Sequence, residues 1–284
     1  MLRKAVLLPV LATALALGAC DSSTEPGNAR LTVLLTDAPS DYLESAVVEI
    51  GRVEVRGADG SRTTVIEDAG EFDLLELQNG VTTILGSVDL QPGTYTELRM
   101  IVESARVTLV PEYQFEDGSQ TMQIAVPSGA ASGIKIALED VDGAGGPGVE
   151  IRPGETILVV DFDVSSNFVM NGSADEPAGI KGFNFTPRLR AAVRDLAGSI
   201  SGTVAPVEEV TDTLTVSAAR VGADPAEAPA SASVAVDGTF SFLFMAPGTY
   251  DVTLTRLKLG QSAAAVQVVV GESEAVTGVA LTIE

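Results

Sequence analysis

The sequence predicts an all-β protein, and three features of the chain favour that fold class. From Arg30 onward, apolar and polar residues alternate in short runs, which is the period of a strand with one buried face. Leu98, Met100 and Val102 alternate with charged residues in this way. Asp-Gly and Pro-Gly pairs separate the runs and are typical of tight turns. No long run after the N-terminal segment has the apolar spacing of a helix. The pattern at residues 73–90 is ambiguous and also fits a short helix.

The first residues have the three parts of an export signal. Arg3 and Lys4 give a positive start, residues 5–17 are apolar, and Gly18-Ala19 supply small side chains before a cleavage point. The apolar run is too short to span a bilayer core of roughly 30 Å as a helix. Residues 1–19 are therefore predicted to be a signal peptide.

The one cysteine of the chain, Cys20, follows directly. Leu17-Gly18-Ala19-Cys20 resembles the lipobox of bacterial lipoproteins, in which the cysteine sulfur carries a diacylglycerol and the chain is cut just before it. The resemblance implies an exported protein, anchored by lipid in the cell membrane or outer membrane and facing the periplasm or the cell exterior. Residues 20–29 are polar and are expected to form a flexible tether. The alternative is an ordinary signal peptide with an incidental cysteine.

Composition excludes several classes of function. The chain has 39 acidic and 17 basic residues and a net charge of −22, which argues against binding to nucleic acid or direct adhesion to anionic lipid. It has no histidine, so neither a Ser-His-Asp triad nor a histidine-bound metal can form. A lone cysteine provides no thiolate cluster. We therefore expect no enzyme activity.

Seven short segments stand out along the region 30–195. Among them are Pro92-Gly93-Thr94-Tyr95, Ser132-Gly133-Ile134-Lys135 and Val160-Asp161-Phe162-Asp163, with others at 31–39, 74–81, 126–129 and 186–189. In type and order these segments resemble a bacterial family called domain of unknown function 4382. The family implies a secreted β-rich domain, usually on lipoproteins, with no established activity.

The pattern restarts near residues 195–198, and segments at 198–204, 236–242 and 246–252 follow. This series resembles the carboxypeptidase regulatory-like domain, and the resemblance covers the region 198–284. That family implies a small transthyretin-like β-sandwich, which is grouped with carbohydrate-binding-like folds. The residues agree with a sandwich, because Asp237-Gly238 is typical of a hairpin turn. We expect one face of the next strand to fill a core with Phe240, Phe242 and Phe244. A final strand is predicted to bury Val279, Leu281 and Ile283.

The two halves share one local motif and one sign of charge. Pro-Gly-Thr-Tyr occurs at 92–95 and at 247–250, and at each place the tyrosine is predicted to anchor the start of a strand. A trace of duplication is the alternative explanation. Both halves are acidic, so their repulsion is expected to disfavour a large fixed interface.

Two groups of residues suggest chemistry. Ser132 and Lys135 have the Ser-x-x-Lys spacing of penicillin-binding proteins, but the alternation around them predicts a strand, on which residues three apart point to opposite faces. We therefore expect this pair to be inert.

Calcium is the one candidate ion. Asp140 and Asp142 lie in an acidic, glycine-flanked loop, and Asp161 and Asp163 are predicted on one strand face about 7 Å apart. The alternative is a solvated acidic edge that discourages aggregation between sheets.

These observations predict a lipid-anchored envelope protein with a non-catalytic binding or scaffolding role. The rival hypothesis is a carbohydrate-binding surface module. The ligand, protein or glycan, is not specified by the sequence, and no cofactor is expected.

Overall fold

The computed structural model describes most of the chain from Asn28 onward. The predicted signal peptide, Cys20 and the predicted tether up to residue 27 lie outside the described residues. Within the described part, no helix is both long and apolar enough to cross a lipid bilayer. The described residues are 28–37, 40, 42–126, 132–174, 176–205, 214–223, 227, 229–256, 261–262 and 265–282.

The prediction of an all-β fold is confirmed. Strands make up most of the described chain. Its helical residues are a 3₁₀ turn at Leu74–Leu77, one turn of α-helix, α1, at Val164–Asn167, and the single residue Ser132. The 3₁₀ turn lies in the 73–90 segment, whose ambiguous sequence pattern also fitted a short helix. Each described sheet takes its strands from one side of Gly198, so we refer to a first unit (28–197) and a second unit (198–282).

Two sheets form the sandwich of the first unit. One has the order β12-β9-β1-β4, and β1 runs parallel to β9. The other has the order β3-β2-β5-β6, with β7 and β8 also paired to β5, and β10-β11 form a separate ribbon. The strands are β1 (Ala29–Thr36), β2 (Leu43–Gly57), β3 (Arg62–Asp73), β4 (Thr83–Leu90), β5 (Gly93–Leu109), β6 (Thr121–Ile124), β7 (Ile134–Ala137), β8 (Val149–Ile151), β9 (Gly154–Asp161), β10 (Phe168–Gly172), β11 (Ile180–Phe185) and β12 (Arg190–Val193).

Alternate side chains of these strands fill one core. Leu98, Met100 and Val102 of β5 are fully buried, as their alternation predicts. In β2 the pairing register shifts between Ile50 and Arg52 on both sides of the strand, which is a bulge at Gly51. The extra residue in the bulge changes which side chains point inward after Gly51. Val48 and Ile50 before it, and Val53 and Val55 after it, therefore all pack in the same core.

The second unit is a smaller sandwich with its own core. A sheet of order β16-β13-β20 faces a sheet of order β15-β14-β17, in which β18 and β19 also pair with β17. Its core is formed by alternate side chains from both sheets, such as Ile200, Val216 and Phe242. The strands are β13 (Gly198–Ala205), β14 (Leu214–Arg220), β15 (Ala230–Ser233), β16 (Thr239–Met245), β17 (Gly248–Arg256), β18 (Gln261–Ser262), β19 (Val266–Val270) and β20 (Ala275–Thr282).

The predicted phenylalanine row is wrong in one position. Phe240 and Phe242 are buried in the core, but Phe244 is half-buried and has a left-handed backbone with φ of 51°. That conformation shifts the alternation, so Met245 takes the next core position and is fully buried. On β20, Val279 and Leu281 are buried as predicted, and Ile283 lies outside the described residues.

Three Asp-Gly turns share one hydrogen-bond pattern, at 59–61, 117–119 and 237–239. In each, an aspartate carboxylate accepts bonds from the backbone N–H and the hydroxyl of the Ser or Thr two residues later, at 2.6–3.0 Å. These bonds lower the pKa of Asp59, Asp117 and Asp237, because they favour the ionised form. The sequence predicted all three turns from the Asp-Gly pair alone.

The two Pro-Gly-Thr-Tyr motifs adopt the same local structure. The Tyr95 hydroxyl donates to the carbonyl of Gln91 at 2.9 Å, and the Tyr250 hydroxyl donates to the carbonyl of Ala246 at 2.7 Å. Both side chains are buried, which raises the pKa of both hydroxyls. Each tyrosine therefore ties a strand start to the preceding turn, as predicted.

Tyr95→Phe and Tyr250→Phe should each destabilise the protein by about 1–2 kcal/mol, because each change leaves a carbonyl without its donor. The measurement is chemical denaturation of the full-length protein. The matched control is Tyr42→Phe, because the Tyr42 ring packs edge-on against Tyr113 and its hydroxyl bonds to no described residue. Equal losses for all three variants would contradict the anchoring role.

Fragments 30–195 and 198–284 should each give a cooperative melt and β-type circular dichroism. The reason is that the described cores are separate, one within residues 29–193 and one within residues 200–281. A second fragment that is unfolded alone, yet ordered in the full chain, would show that the two sandwiches are one folding unit.

Candidate functional site

Buried polar groups collect at one end of the first unit, where parallel strands β1 and β9 finish side by side. Thr36 pairs with Asp161 in this register, so Asp37 and Asp161 end neighbouring strands. Both residues are buried, since Asp37 is 6% exposed and Asp161 is 5% exposed. Asp37 Oδ1 accepts from the backbone N–H of Val164 at 2.8 Å, which joins the end of β1 to α1.

The chain leaves the strand direction immediately after Asp161. Asp163 has φ of 48° and caps α1, with its Oδ1 accepting from the Ser166 N–H at 3.1 Å and from the Ser165 hydroxyl at 2.8 Å. Asp161 and Asp163 therefore do not share a strand face, and that part of the sequence prediction is wrong. Asp163 acts as a helix cap, which alternation alone cannot reveal.

Arg190 neutralises this buried carboxyl end and also reaches the second unit. It lies opposite Asp161 on β12, and its guanidinium forms an ion pair with Asp161 Oδ2. The same guanidinium donates to the carbonyl oxygens of Phe244 at 3.2 Å and Leu243 at 3.4 Å. Burial raises the pKa of Asp161, while the positive charge of Arg190 acts in the opposite direction.

A second arginine crosses the junction in the reverse direction. Arg220 of β14 donates to Asp140 Oδ2 at 2.6 Å, to the Asp140 carbonyl at 2.8 Å and to the Pro247 carbonyl at 2.7 Å. Its side chain is 8% exposed. We call Arg190 and Arg220 the arginine clamp. The clamp holds the two units in contact although both are acidic, so the expectation drawn from charge repulsion alone omitted this local attraction.

The proposed calcium ligands are engaged in other contacts. Asp140 pairs with Arg220 and also accepts from the Gly145 N–H at 2.6 Å, and Asp142 accepts from the Ala144 N–H at 3.0 Å. Asp161 pairs with Arg190. Within the described residues, no three acidic side chains are placed to hold a metal ion together. Calcium binding stays a prediction.

Strained backbone is concentrated at the same junction. Six of the described non-glycine residues have positive φ. Five of them contact the other unit or lie beside the groups that do: Asn79, Asp140, Asp163, Phe244 and Ser273. Positive φ is costly for residues with a Cβ and tends to persist where surrounding contacts hold it in place.

A cleft of about 580 Å³ opens beside the clamp, between the two units. The first unit's side is lined by residues that include the clamp pair Asp161 and Arg190, together with Thr36, Asp37 and Asn79. Hydroxyl side chains of β13 and β16 line the opposite wall. Sequence reasoning missed this site, and the available signal was the repeated spacing of Ser and Thr at 199–203 and 239–241.

The Ser-x-x-Lys pair lies in the first unit and does not line this cleft. Lys135 is an exposed residue of β7 and lies opposite Arg99 on β5. Ser132 precedes the strand, which begins at Ile134. The predicted strand is confirmed from Ile134 and includes Lys135, but Ser132 has helical geometry and is not part of it. Ser132 and Lys135 therefore do not share one strand, and the inertness of the pair stays a prediction.

Residues 28–187 match the profile of DUF4382, a domain of unknown function. This match covers more than half of the chain. The chain belongs to the DUF4382 family. The DUF4382 match includes β1, β9 and α1, so the carboxyl end with Asp37 and Asp161 is part of the family domain, while Arg190 follows it.

Solved structures similar to this DUF4382 protein resemble it only weakly. The Bacillus anthracis TIE protein is 6% identical with a TM-score of 0.24, over 89% of this chain and 40% of that one. The shaft pilin spaA from Lactobacillus rhamnosus GG is 9% identical with a TM-score of 0.24, over 91% and 98%. The fimbrial anchor protein Mfa2 from Porphyromonas gingivalis is 12% identical with a TM-score of 0.20, over 84% and 83%. At these TM-scores the likeness carries no argument about function. No curated protein matches the sequence.

Arg190→Met should destabilise the protein by about 3–5 kcal/mol, because it leaves the Asp161 carboxylate buried without its counter-charge. The matched control is Arg194→Met, since Arg194 pairs with Asp195 at an exposed site worth about 0–1 kcal/mol. Unfolding free energies in denaturant provide the measurement.

Asp161→Asn combined with Arg190→Met should be less destabilising than Arg190→Met alone, since no unpaired charge remains. If Arg190→Met is as mild as Arg194→Met, the pair does not hold the junction.

Proposed function

We propose that this protein is a lipid-anchored component of the bacterial cell envelope with a non-catalytic binding or scaffolding role. The observation that carries the proposal is the polar cleft at the clamped junction. Ligand sites occur preferentially where domains meet, because two rigid walls can enclose a ligand that neither wall could hold alone. The two sandwiches supply the rigid walls, and the arginine clamp sets their spacing.

The groups at the cleft suit binding better than catalysis. The chain has no histidine, and the Asp161 carboxylate in the cleft lining is buried and paired with Arg190. A general acid or base must reach the substrate atom whose proton it transfers. The accessible groups on the cleft wall are hydroxyls, which recognise ligands by hydrogen bonds. The one carboxylate bonded to this wall, Asp237 on Thr239, has its pKa lowered by that bond and is a poor general base.

The anchor supports the location within this proposal. Cys20 follows a signal-like segment with lipobox spacing, and the polar tether that follows would hold the first unit near a membrane surface. The lipid would place the cleft in the periplasm or at the cell exterior. The resemblance of the second unit to carboxypeptidase regulatory-like domains agrees with an accessory, non-catalytic role.

A carbohydrate-binding surface module is the second candidate. The observation that favours it is the wall of Ser and Thr hydroxyls in the cleft. Such a module would hold a glycan at the envelope without cleaving it. Scaffolding by protein contacts would instead leave this wall unused.

Cys20→Ala should move the protein from the membrane to the soluble fraction and abolish incorporation of a labelled fatty acid. The wild-type protein should stay with membranes through a high-salt wash, because several acyl chains anchor stably without ionic contacts. The conservative control is Ser22→Ala, two residues away in the tether. A Cys20→Ala protein that remains with membranes, together with an unlabelled wild type, would refute the anchor.

A further inference from the structure

We propose that the cleft binds a short, uncharged oligosaccharide along the hydroxyl wall of β13 and β16. This inference rests on the envelope-binding function proposed above and names the ligand class of that same site. The hydroxyl wall consists of Ser201, Thr203, Thr239 and Ser241.

The hydroxyl wall is a regular array. Ser201 lies directly opposite Ser241, and Thr203 lies directly opposite Thr239, in the antiparallel pairing of β13 with β16. Paired side chains of this kind have Cβ atoms roughly 5 Å apart, and the next pair along the same face follows after about 7 Å. The array therefore presents four hydroxyl groups as two successive cross-strand pairs on one face of the sheet.

Most of these hydroxyls have hydrogen-bonding capacity to offer a ligand. The side chains of Ser201, Thr203 and Ser241 bond to no other described residue. The Thr239 hydroxyl donates to Asp237 at 2.7 Å and keeps its lone pairs as acceptors. Each hydroxyl can donate one bond and accept two, which matches sugar hydroxyls that also do both.

On the opposite wall, Asn79 adds a side-chain amide. At the end of the hydroxyl wall, Leu243 adds an apolar surface. Asn79 is exposed in a turn closed by a bond from the Val81 N–H to the Gln78 carbonyl at 3.2 Å. Its side chain offers both a donor and an acceptor. Leu243 continues the same face of β16 and is 37% exposed, so it can cover the C–H face of a sugar ring.

Charge selects against other polar ligands. The protein has a net charge of −22, and the cleft contains Asp37 and Asp161, so anionic ligands are repelled. Arg190 cannot attract them, because its guanidinium is shared between Asp161 and two backbone carbonyls. A cationic ligand finds little accessible carboxylate in the cleft lining, since Asp37 and Asp161 are 6% and 5% exposed, and the exposed Asp237 beside the wall already accepts two bonds from Thr239. An uncharged ligand with many hydroxyls remains.

The volume agrees with a short oligosaccharide. The cleft measures about 580 Å³, within the range of roughly 300–1,000 Å³ for small-molecule sites. It opens to solvent at one side, so a longer glycan could extend beyond the bound sugars.

Isothermal titration calorimetry on the full-length protein, in a detergent without a sugar headgroup, tests the inference. The neutral probes are hexaoses of glucose in α- and β-linkage, of mannose and of N-acetylglucosamine. An oligogalacturonate serves as the anionic probe and spermine as the cationic probe. We expect at least one neutral hexaose to bind, and neither charged probe to bind.

Thr203→Val and Ser241→Ala should each weaken that binding about fivefold, which corresponds to one lost hydrogen bond. Thr282→Val is the matched control, because Thr282 is an exposed residue of β20 in the same sheet and does not line the cleft. Failure of every neutral probe, binding that survives both cleft variants, or binding of only a charged probe would overturn the inference.

The two proposals fail separately. No sugar binding together with Cys20-dependent membrane attachment overturns the ligand class and leaves the anchored role in place. Sugar binding that needs Thr203 and Ser241, in a protein that does not need Cys20 for membrane attachment, supports the ligand class and refutes the anchor.

Discussion

The ion pair between Arg190 and Asp161 is the interaction on which the junction depends. Asp161 ends a strand in the interior, where an unpaired carboxylate would be expensive. Arg190 lies opposite it on the neighbouring strand and supplies the counter-charge. Because the guanidinium has more donors than one carboxylate can use, it also bonds to two carbonyls of β16. One side chain thus stabilises the first unit and positions the second.

Local attraction prevails over the repulsion between two acidic units. The net charges act through solvent and are screened beyond roughly 8–10 Å at ordinary salt. The clamp acts at hydrogen-bond distance through guanidinium groups that are 11% and 8% exposed, where screening is weak. The net charge of this protein is therefore a guide to its solubility and to the sign of charge that a ligand can carry. It is a poor guide to whether the two units contact each other.

Much of the fold could be predicted from local sequence, and most of the site could not. Alternation located the strands, because the signal for each strand lies within a few residues of sequence. The parallel pairing of β1 with β9 joins segments 125 residues apart at Ala29 and Gly154, with no local signal. The partners of the candidate calcium ligands are also distant, since Arg190 lies 29 residues after Asp161 and Arg220 lies 80 residues after Asp140. Sequence alone therefore could not show that an arginine lies beside Asp161 and beside Asp140.

Phe244 shows how the junction and the cleft are linked. A left-handed backbone costs a residue with a Cβ about 1–2 kcal/mol, and phenylalanine lacks the short polar side chain that makes this conformation easier for Asn and Asp. An unstrained β16 would have continued the alternation and buried Phe244 in the core in place of Met245. The carbonyls of Leu243 and Phe244 instead accept bonds from Arg190, and the Leu243 and Phe244 side chains line the cleft. Strain of this kind persists where the surroundings over-determine it, and it often accompanies a functional surface. The same two residues hold the units together and end the hydroxyl wall, so the geometry of the cleft follows directly from the clamp.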